Sequence, residues 1–294
     1  MHASTTAQAE RMKFSLAAPT PLAYFEALVQ SDAQFPLLEA AASLAQDEYP
    51  SLDVQQVLDE VDQLLDRIRR RIPADAPAAY KLRMLNQFFF RELHFRGNVN
   101  DYYDPDNSYL SVVLHSRRGI PISLAVLWLE LAQGLGLAAR GVGFPGHFMV
   151  KVNLPHGQVV IDPFTGHSLS REELSERLEP YRRRRALMED SELPLGLFLQ
   201  VSSARDIIAR MLRNLKEIHA AREDWQRVLD VQNRLLVLLP QAWEELRDRG
   251  LAYAELGHVP LAVRDLETYL SQADGQDDQV AVSTRVAELR RSLP

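Results

Sequence analysis

A histidine and an aspartate flank two short segments of this chain that are rich in strand-forming residues. His147 precedes the apolar run 148–152, and Asp162 follows the run 158–161. Only a short loop near Pro155 separates the runs, which predicts an antiparallel hairpin. Pairing in such a hairpin sets His147 opposite a residue between 162 and 164. We therefore expect the carboxylate to lie within hydrogen-bonding distance of the imidazole and to orient it, as in hydrolase triads.

A nucleophile for such a triad is harder to find. The sequence Gly119-Ile120-Pro121 predicts the start of a helix that continues to about Leu135, because proline suits the first helical turn. Ser123 carries the hydroxyl nearest that start. The chain has no cysteine, which excludes thiol nucleophiles, disulfides and thiolate metal sites.

This arrangement resembles the transglutaminase core, whose pattern reads Gly-x-Cys-x-x-x-Ala, then Gly and Arg, then His-Ala-Trp-x-Glu-Val, then Asp-Pro. Laid without gaps from Gly119, the pattern also matches Ala125, Gly136 and Arg140, and His147 and Asp162 follow with a similar separation. The position of the nucleophilic cysteine falls on Pro121. The resemblance thus implies a core that keeps two members of a catalytic triad and lacks the third.

More narrowly, the chain resembles the bacterial SirB family, which joins such a core to C-terminal tetratricopeptide repeats. The matching stretches are 102–110, 117–124, 143–148 and 248–250, and the similarity covers residues 30 to 270. Members of that family are described as regulators. The resemblance implies a regulatory protein and does not imply an enzymatic reaction.

Two interpretations of Ser123 stay open. In the first, a Ser123–His147–Asp162 triad acts as a hydrolase or acyltransferase, which requires a strong base and an oxyanion hole. In the second, the serine is structural and the core is catalytically silent. Ser123 stands two residues after the cysteine position, a turn of about 200° around a helix, so the second interpretation is favoured.

The remaining polar and aromatic residues suggest binding more than catalysis. A cleft lined by His147 and Asp162 with Tyr102 or Tyr103 could bind a peptide or small ligand, and we add Asn107 and Pro121 as candidate binding residues. The acidic loop from Asp101 to Asn107 lacks the spacing of a calcium-binding loop, and turn capping explains it better. The eight histidines show no metal-binding spacing. We therefore expect neither a metal ion nor a cofactor.

The fold class predicted from the periodicity is α+β and mostly helical. Residues 21–96 carry apolar positions at helical spacing and predict four helices. The long apolar segment 120–137 predicts a buried helix, which would pack on a small antiparallel sheet formed by 140–144, 148–152 and 158–161. Ser170 and Glu173 predict the start of a further helix, because serine caps and glutamate three residues later completes a capping box.

From Ala204 onward the sequence predicts helices alone, with an internal repeat of about 36 residues. In the second copy Trp243, Gly250, Tyr253, Gly257 and Ala262 stand at tetratricopeptide-like positions. Small residues at such positions let paired helices pack closely. The predicted domains are a loose leader at 1–20, the helical region with the transglutaminase-like core at 21–200, and the repeats at 201–294.

Composition restricts the class of partner. The chain has 294 residues and a net charge of −7, which argues against broad nucleic-acid binding, although the basic run 182–185 leaves an anionic partner open. No apolar stretch reaches the length of a membrane-spanning helix. A polar N-terminus and the absence of cysteine fit the cytoplasm. We expect a non-catalytic interaction or regulatory module that binds a protein or peptide through its C-terminal repeats.

Overall fold

The computed structural model describes residues 19–186, 194–272 and 278–292, so most of the predicted leader lies outside the described residues. Within these ranges the helices are α1 (Pro21–Leu28), α2 (Leu37–Ser43), α3 (Val54–Arg69), α4 (Ala78–Asn86), α5 (Leu110–Ser116), α6 (Pro121–Gly134), α7 (Arg171–Ala186), α8 (Leu195–Phe198), α9 (Ala204–Ala221), α10 (Trp225–Leu238), α11 (Trp243–Glu255), α12 (Val259–Gln272) and α13 (Gln279–Arg291). The strands are β1 (Arg96–Gly97), β2 (Arg118–Gly119), β3 (Ala139–Phe144), β4 (His147–Leu154), β5 (Gly157–Ile161) and β6 (Ser168–Leu169). None of the described helices is long and apolar enough to cross a membrane.

The α+β prediction is confirmed: α6 packs against a small antiparallel sheet. The sheet has the order β3-β4-β5-β6, and all its neighbouring strands run antiparallel. Every residue of α6 from Pro121 to Leu129 is buried. A helix that is buried on all sides needs other elements around it, and here the sheet and the N-terminal helices surround α6.

The four predicted N-terminal helices are present, and the amphipathic stripe of α3 faces the core. Its buried residues are Val54, Val57, Val61, Leu64, Leu65 and Ile68. The fourth helix differs in its last part, where residues Gln87–Glu92 form a π-helical turn closed by a hydrogen bond from Leu93 N to Phe88 O. The turn places the consecutive Phe88 and Phe89 in the core, where Phe89 stacks on Phe95.

A parallel pair of two-residue strands joins the helical region to the start of α6. Gly97 of β1 pairs with Gly119 of β2, and the amide of Gly97 also donates to the carbonyl oxygen of Phe164. A β-carbon on Gly97 would overlap the Phe164 ring, so this close approach requires glycine. The pair was not predicted, but it places Phe164 beside the sheet.

The described part of the chain after residue 203 is helical, as predicted, and the second repeat copy corresponds to α11 and α12. Gly250 of α11 lies against α12. A β-carbon there would lie 2.8 Å from the side chain of Leu266 and 3.3 Å from the carbonyl oxygen of Ala262. The small residue therefore sets the spacing of this helical hairpin.

The first repeat shares its core with the rest of the protein. Apolar residues of α9 and α10 belong to the same cluster as those of α1 to α6, including Ile207, Leu212, Leu215, Leu235 and Leu238. Residues of α12 and α13 form a separate cluster. The predicted boundary at residue 200 thus crosses a continuous hydrophobic core, and the second repeat adds a core of its own.

Candidate functional site

The structure brings His147 and Asp162 together. His147 begins β4 and Asp162 follows β5, whose register pairs Val150 with Ile161. Nε2 of His147 lies 2.8 Å from Oδ1 of Asp162. An ionised carboxylate can only accept, so the ring nitrogen is the donor, and the hydrogen-bonded pair has the geometry that orients an imidazole.

Asp162 is held as a charged carboxylate. Its side chain is 2% exposed, and it also accepts from the backbone amide of Phe164 at 2.9 Å and from Arg177 at 3.1 Å. Burial acts to raise its pKa, but the hydrogen bond from His147, the Phe164 amide and Arg177 together lower the pKa to about 2. Asp162 is therefore ionised throughout the physiological range.

The ring of His147 remains accessible on its other side. The side chain is 20% exposed, and in the described part of the structure Nε2 alone takes part in a hydrogen bond. The edge of the ring meets Phe164, with 6.4 Å between ring centroids. The imidazole is thus fixed by Asp162 and is still partly accessible.

The hydroxyl of Ser123 does not join this pair. The side chain is 0% exposed, and its Oγ donates to the carbonyl oxygen of Asn107 at 2.6 Å, with the Ile120 carbonyl oxygen at 3.1 Å. Oγ also accepts from the Ile120 amide at 3.2 Å, which caps the start of α6. All these partners are backbone groups, so the serine serves the helix start and lacks the contact with His147 that a triad requires.

Pro121 occupies the first position of α6 and is buried. The sequence resemblance aligns the cysteine of the transglutaminase pattern with this position, and proline offers neither a side-chain nucleophile nor a backbone donor. Proline does favour the first turn of a helix, because its φ is already suitable and no hydrogen bond is lost. Pro121 therefore stabilises the start of α6 and cannot act as a nucleophile.

Asn107 braces the loop that carries the two candidate tyrosines. The buried side chain donates to the carbonyl oxygens of Asp101 at 2.6 Å and Tyr102 at 3.3 Å, and its Oδ1 accepts from Asn98 at 2.9 Å. Asn107 therefore fixes the loop from inside. Of the four candidate binding residues, Tyr102 and Tyr103 are exposed, whereas Asn107 and Pro121 are buried.

A series of aromatic contacts connects the exposed tyrosines to His147. The ring centroid of Tyr102 lies 5.3 Å from that of Tyr103 and 6.0 Å from that of Phe164, which in turn meets His147. Phe164 was not among the candidates, although its place two residues after Asp162 could have indicated it. The contacts place aromatic rings beside the partly exposed imidazole of His147.

Three further residues approach the hairpin of β3 and β4 from distant parts of the chain. We call this the His147 hairpin, because His147 begins β4 directly after its turn. Arg177 and Tyr181 lie on α7, where Arg177 holds Asp162 and the Tyr181 hydroxyl is so close to Gly146 that a β-carbon there would overlap it. Arg210 on α9 donates to the carbonyl oxygen of Phe144 at 3.4 Å. No local pattern announces these residues, because only the packing of α7 and α9 brings them here.

The acidic loop has the capping role that was predicted. Asp104 accepts from the amide of Asp106 at 3.1 Å, and Asp106 accepts from the hydroxyl of Tyr49 at 2.6 Å. In the ranges that the structure describes, no group of three His, Asp or Glu side chains is placed to hold a metal ion. These carboxylates thus act within the fold.

Ion pairs connect the odd-numbered helices of the repeat region. Arg213 and Lys216 of α9 each contact Glu245 of α11 at 2.7 Å, and Lys216 also contacts Asp248 at 2.8 Å. Arg247 of α11 pairs with Asp278, which precedes α13. One face of the repeat region is therefore formed by α9, α11 and α13 side by side.

Comparison with known proteins agrees with this architecture. A model of the transglutaminase-like superfamily matches residues 55–213, and a tetratricopeptide-repeat model matches residues 215–289. The UPF0162 protein of Xylella fastidiosa (strain Temecula1) is similar, at 40% identity over 240 residues, with 81% of this chain and 84% of that protein covered. A UPF0162 protein of Pseudomonas aeruginosa is 30% identical over 257 residues, covering 86% of this chain and 90% of its own.

The UPF0162 protein YchA of Escherichia coli K12 is 28% identical over 226 residues, covering 76% of this chain and 81% of its own. Among solved structures, menin aligns with a TM-score of 0.40 and 11% identity, over 92% of this chain and 81% of that one. The superfamily match extends over more than half of the chain, from 55 to 213. This chain belongs to the transglutaminase-like superfamily and, within it, to the group of UPF0162 proteins.

Proposed function

We propose that this protein is a non-catalytic binding module that takes a protein or peptide partner. The observation that supports this most directly is the start of α6. Pro121 stands where the superfamily pattern has its nucleophile, and the Ser123 hydroxyl is occupied by backbone groups. The imidazole of His147 nevertheless remains 20% exposed beside the buried Asp162, which suits recognition of a ligand.

The proposed binding surface follows α9 from the His147 hairpin to the repeats. Arg210 contacts the hairpin, and Arg213 lies one helical turn further along the same face and contacts α11. We name the half-buried side chains of His147 and Arg210 and the exposed side chains of Arg213 and Leu251 together the α9 surface. The face of α9 that carries Arg210 and Arg213 connects the two ends of this surface, so one extended peptide could contact both.

Leu251 supplies the apolar part of the repeat end. It lies on α11, three residues after Asp248 and four after Arg247, and therefore on the side of the helix that carries these ion pairs. Its side chain is 37% exposed. An apolar side chain framed by charged residues is a common centre of a peptide interface.

The alternative, a hydrolase or acyltransferase that uses Ser123, lacks support from the geometry of the hydroxyl. A regulatory role agrees with the resemblance to the SirB family, and a cytoplasmic location agrees with a chain that has no cysteine. The acidic net charge of −7 favours protein partners over nucleic acid.

The experiment uses two matched leucines of the full-length chain. Partners are captured with the wild-type protein, identified, and purified, and their dissociation constants are measured by calorimetry. Leu251→Asp should weaken binding at least tenfold. Leu261→Asp on α12, whose side chain is 38% exposed, should leave binding within about twofold. Equal effects of both variants, or no effect of either, would show that the repeats do not belong to the proposed binding surface.

A further inference from the structure

Arg210 differs from the other arginines of its helix. The helix α9 carries Arg205, Arg210 and Arg213. Arg205 pairs with Asp32 at 2.8 Å, and Arg213 pairs with Glu245 at 2.7 Å. Within the described ranges no carboxylate pairs with Arg210, which has only the Phe144 carbonyl oxygen at 3.4 Å from both of its terminal nitrogens. These bonds are long, so most of the donor capacity of the guanidinium is unused.

The guanidinium is partly withdrawn from water. Its carbon lies 5.7 Å from the centroid of the Phe148 ring, which covers one side. Burial lowers the pKa of Arg210, although an arginine remains charged in any protein environment. A desolvated cation without a counter-charge is costly for the fold, and an incoming anion would relieve that cost.

The space beside Arg210 is kept open by a glycine. A β-carbon on Gly143 would lie 3.6 Å from Nη1 of Arg210 and 3.1 Å from the hydroxyl of Ser202. Any larger side chain at this position would extend toward the guanidinium. Glycine at this position therefore places no side chain of β3 against Nη1.

Two tyrosines face the same cation. Tyr102, from the exposed loop, and Tyr181, from α7, both interact electrostatically with Arg210. Neither phenolic hydroxyl is hydrogen-bonded to another described residue. The Tyr181 hydroxyl lies over Gly146, next to His147, and the Tyr102 ring contacts Phe164. A guanidinium and two phenolic hydroxyls thus lie around the hairpin end, and the two hydroxyls have no acceptor among the described residues.

We propose that Arg210, Tyr102 and Tyr181 form a binding site for the carboxylate of an aspartate or glutamate in the partner peptide, a step that rests on the proposed function. A planar carboxylate can accept two parallel hydrogen bonds from a guanidinium and further bonds from phenolic hydroxyls. The adjoining rings of Tyr102, Tyr103 and Phe164 would cover an apolar side chain next to the acidic residue.

A single negative charge fits the site better than a phosphate. The nearby Arg177 is committed to Asp162, and Arg222 donates to the carbonyl oxygen of Tyr103 at 3.3 Å. Of these three arginines, Arg210 alone is bonded neither to a carboxylate nor to the loop that carries Tyr103. A doubly charged phosphate usually requires several free cations or a row of backbone amides.

The test selects peptides from a displayed library of random heptapeptides on the full-length protein. The selected peptides should contain an aspartate or glutamate next to an apolar residue. Synthetic copies in which that residue becomes asparagine or glutamine should bind at least tenfold more weakly by fluorescence anisotropy. Selected peptides without a common carboxylate, an amide copy that binds equally well, or no selection at all would overturn the proposal.

Variants then assign the carboxylate to its partner. Arg210→Met should weaken binding of the acidic peptide at least tenfold while keeping the packing on Phe148. The matched control is Arg264→Met on α12, because Asp265 retains Arg249 as a partner at 2.6 Å. The control should bind as the wild type does. Melting curves of both variants would verify that they are folded.

The two proposals fail in different ways. If Leu251→Asp weakens binding and Arg210→Met does not, the partner binds the repeats as proposed and the proposed carboxylate site is wrong. If only Arg210→Met weakens binding, the carboxylate site stands and the peptide does not reach the repeats. Weakening by Arg264→Met to the same degree would show that overall charge, and not this site, attracts the peptide.

Discussion

Arg234 of α10 holds the carboxylate of Asp47 with two hydrogen bonds, from Nε to Oδ2 at 2.7 Å and from Nη2 to Oδ1 at 3.1 Å. The arginine side chain is 1% exposed and the aspartate 24%. Asp47 precedes α3 in the chain, whereas Arg234 belongs to the first repeat. The pair therefore joins the N-terminal helices to the repeat region across the shared core.

Removing Asp47 from this buried pair should be far more harmful than removing the acidic member of an exposed pair. Asp47→Ala leaves a buried guanidinium without a counter-charge and should lower the free energy of unfolding by about 3–5 kcal/mol. The control Asp66→Ala removes an exposed partner of Arg69, 3.7 Å away, and should cost less than about 1 kcal/mol. Urea denaturation of both variants measures the difference. Similar losses in the two variants would contradict this account of the pair.

Asp162 should make the fold sensitive to acid. Its pKa is lowered from 3.8 to about 2, so its contribution to stability is complete above the unfolded value and is lost as the pH falls toward 2. The loss should amount to about 2 kcal/mol. The free energy of unfolding of the wild type minus that of Asp162→Asn should therefore shrink between pH 4 and pH 2. If the two proteins lose the same free energy of unfolding over this interval, the ionised Asp162 does not stabilise the fold through its bonds to His147 and Arg177.

Ser123 should matter for stability and not for chemistry. Ser123→Ala removes the cap of α6 and leaves the Asn107 carbonyl oxygen without its hydroxyl partner, which should cost about 1–3 kcal/mol. A fluorophosphonate probe should label neither the wild type nor this variant, as judged by intact mass. Labelling that disappears in Ser123→Ala would instead support the serine hydrolase.

Gly250 should tolerate even a small side chain poorly. A methyl group there presses on Leu266 at 2.8 Å, and the resulting overpacking of about 1–3 kcal/mol should outweigh the gain of about 1 kcal/mol in helix propensity. Gly196→Ala is the matched control, because its β-carbon would meet nothing within 4 Å. Thermal unfolding of both variants checks the contrast. A Gly250→Ala protein as stable as the control would mean that α11 and α12 can separate without cost.

Much of the fold was predictable because its signals are local. The apolar length of α6, the two strand runs around Pro155 and the capping box of Ser170 and Glu173 are all contained in short windows of sequence. Hairpin register alone placed His147 near Asp162. Side-chain alternation and strand pairing are regular enough to support that kind of inference.

The remaining features depend on contacts between distant segments. The pair β1–β2 has two residues in each strand, too few for any periodic signal. Arg210 and Tyr181 reach the His147 hairpin only because α7 and α9 pack against it. The commitment of the Ser123 hydroxyl to Asn107 likewise depends on a loop sixteen residues earlier in the chain. Such neighbours follow from tertiary packing and leave no local pattern.

The continuous core across residue 200 limits how this protein can be divided. A cut in the chain near that point would leave α9 and α10 with one fragment and the helices they cover with the other. Each piece would expose apolar surface that only the other can complete. The two pieces would then behave as the halves of a split protein, able to reassemble when mixed and prone to aggregate when expressed alone.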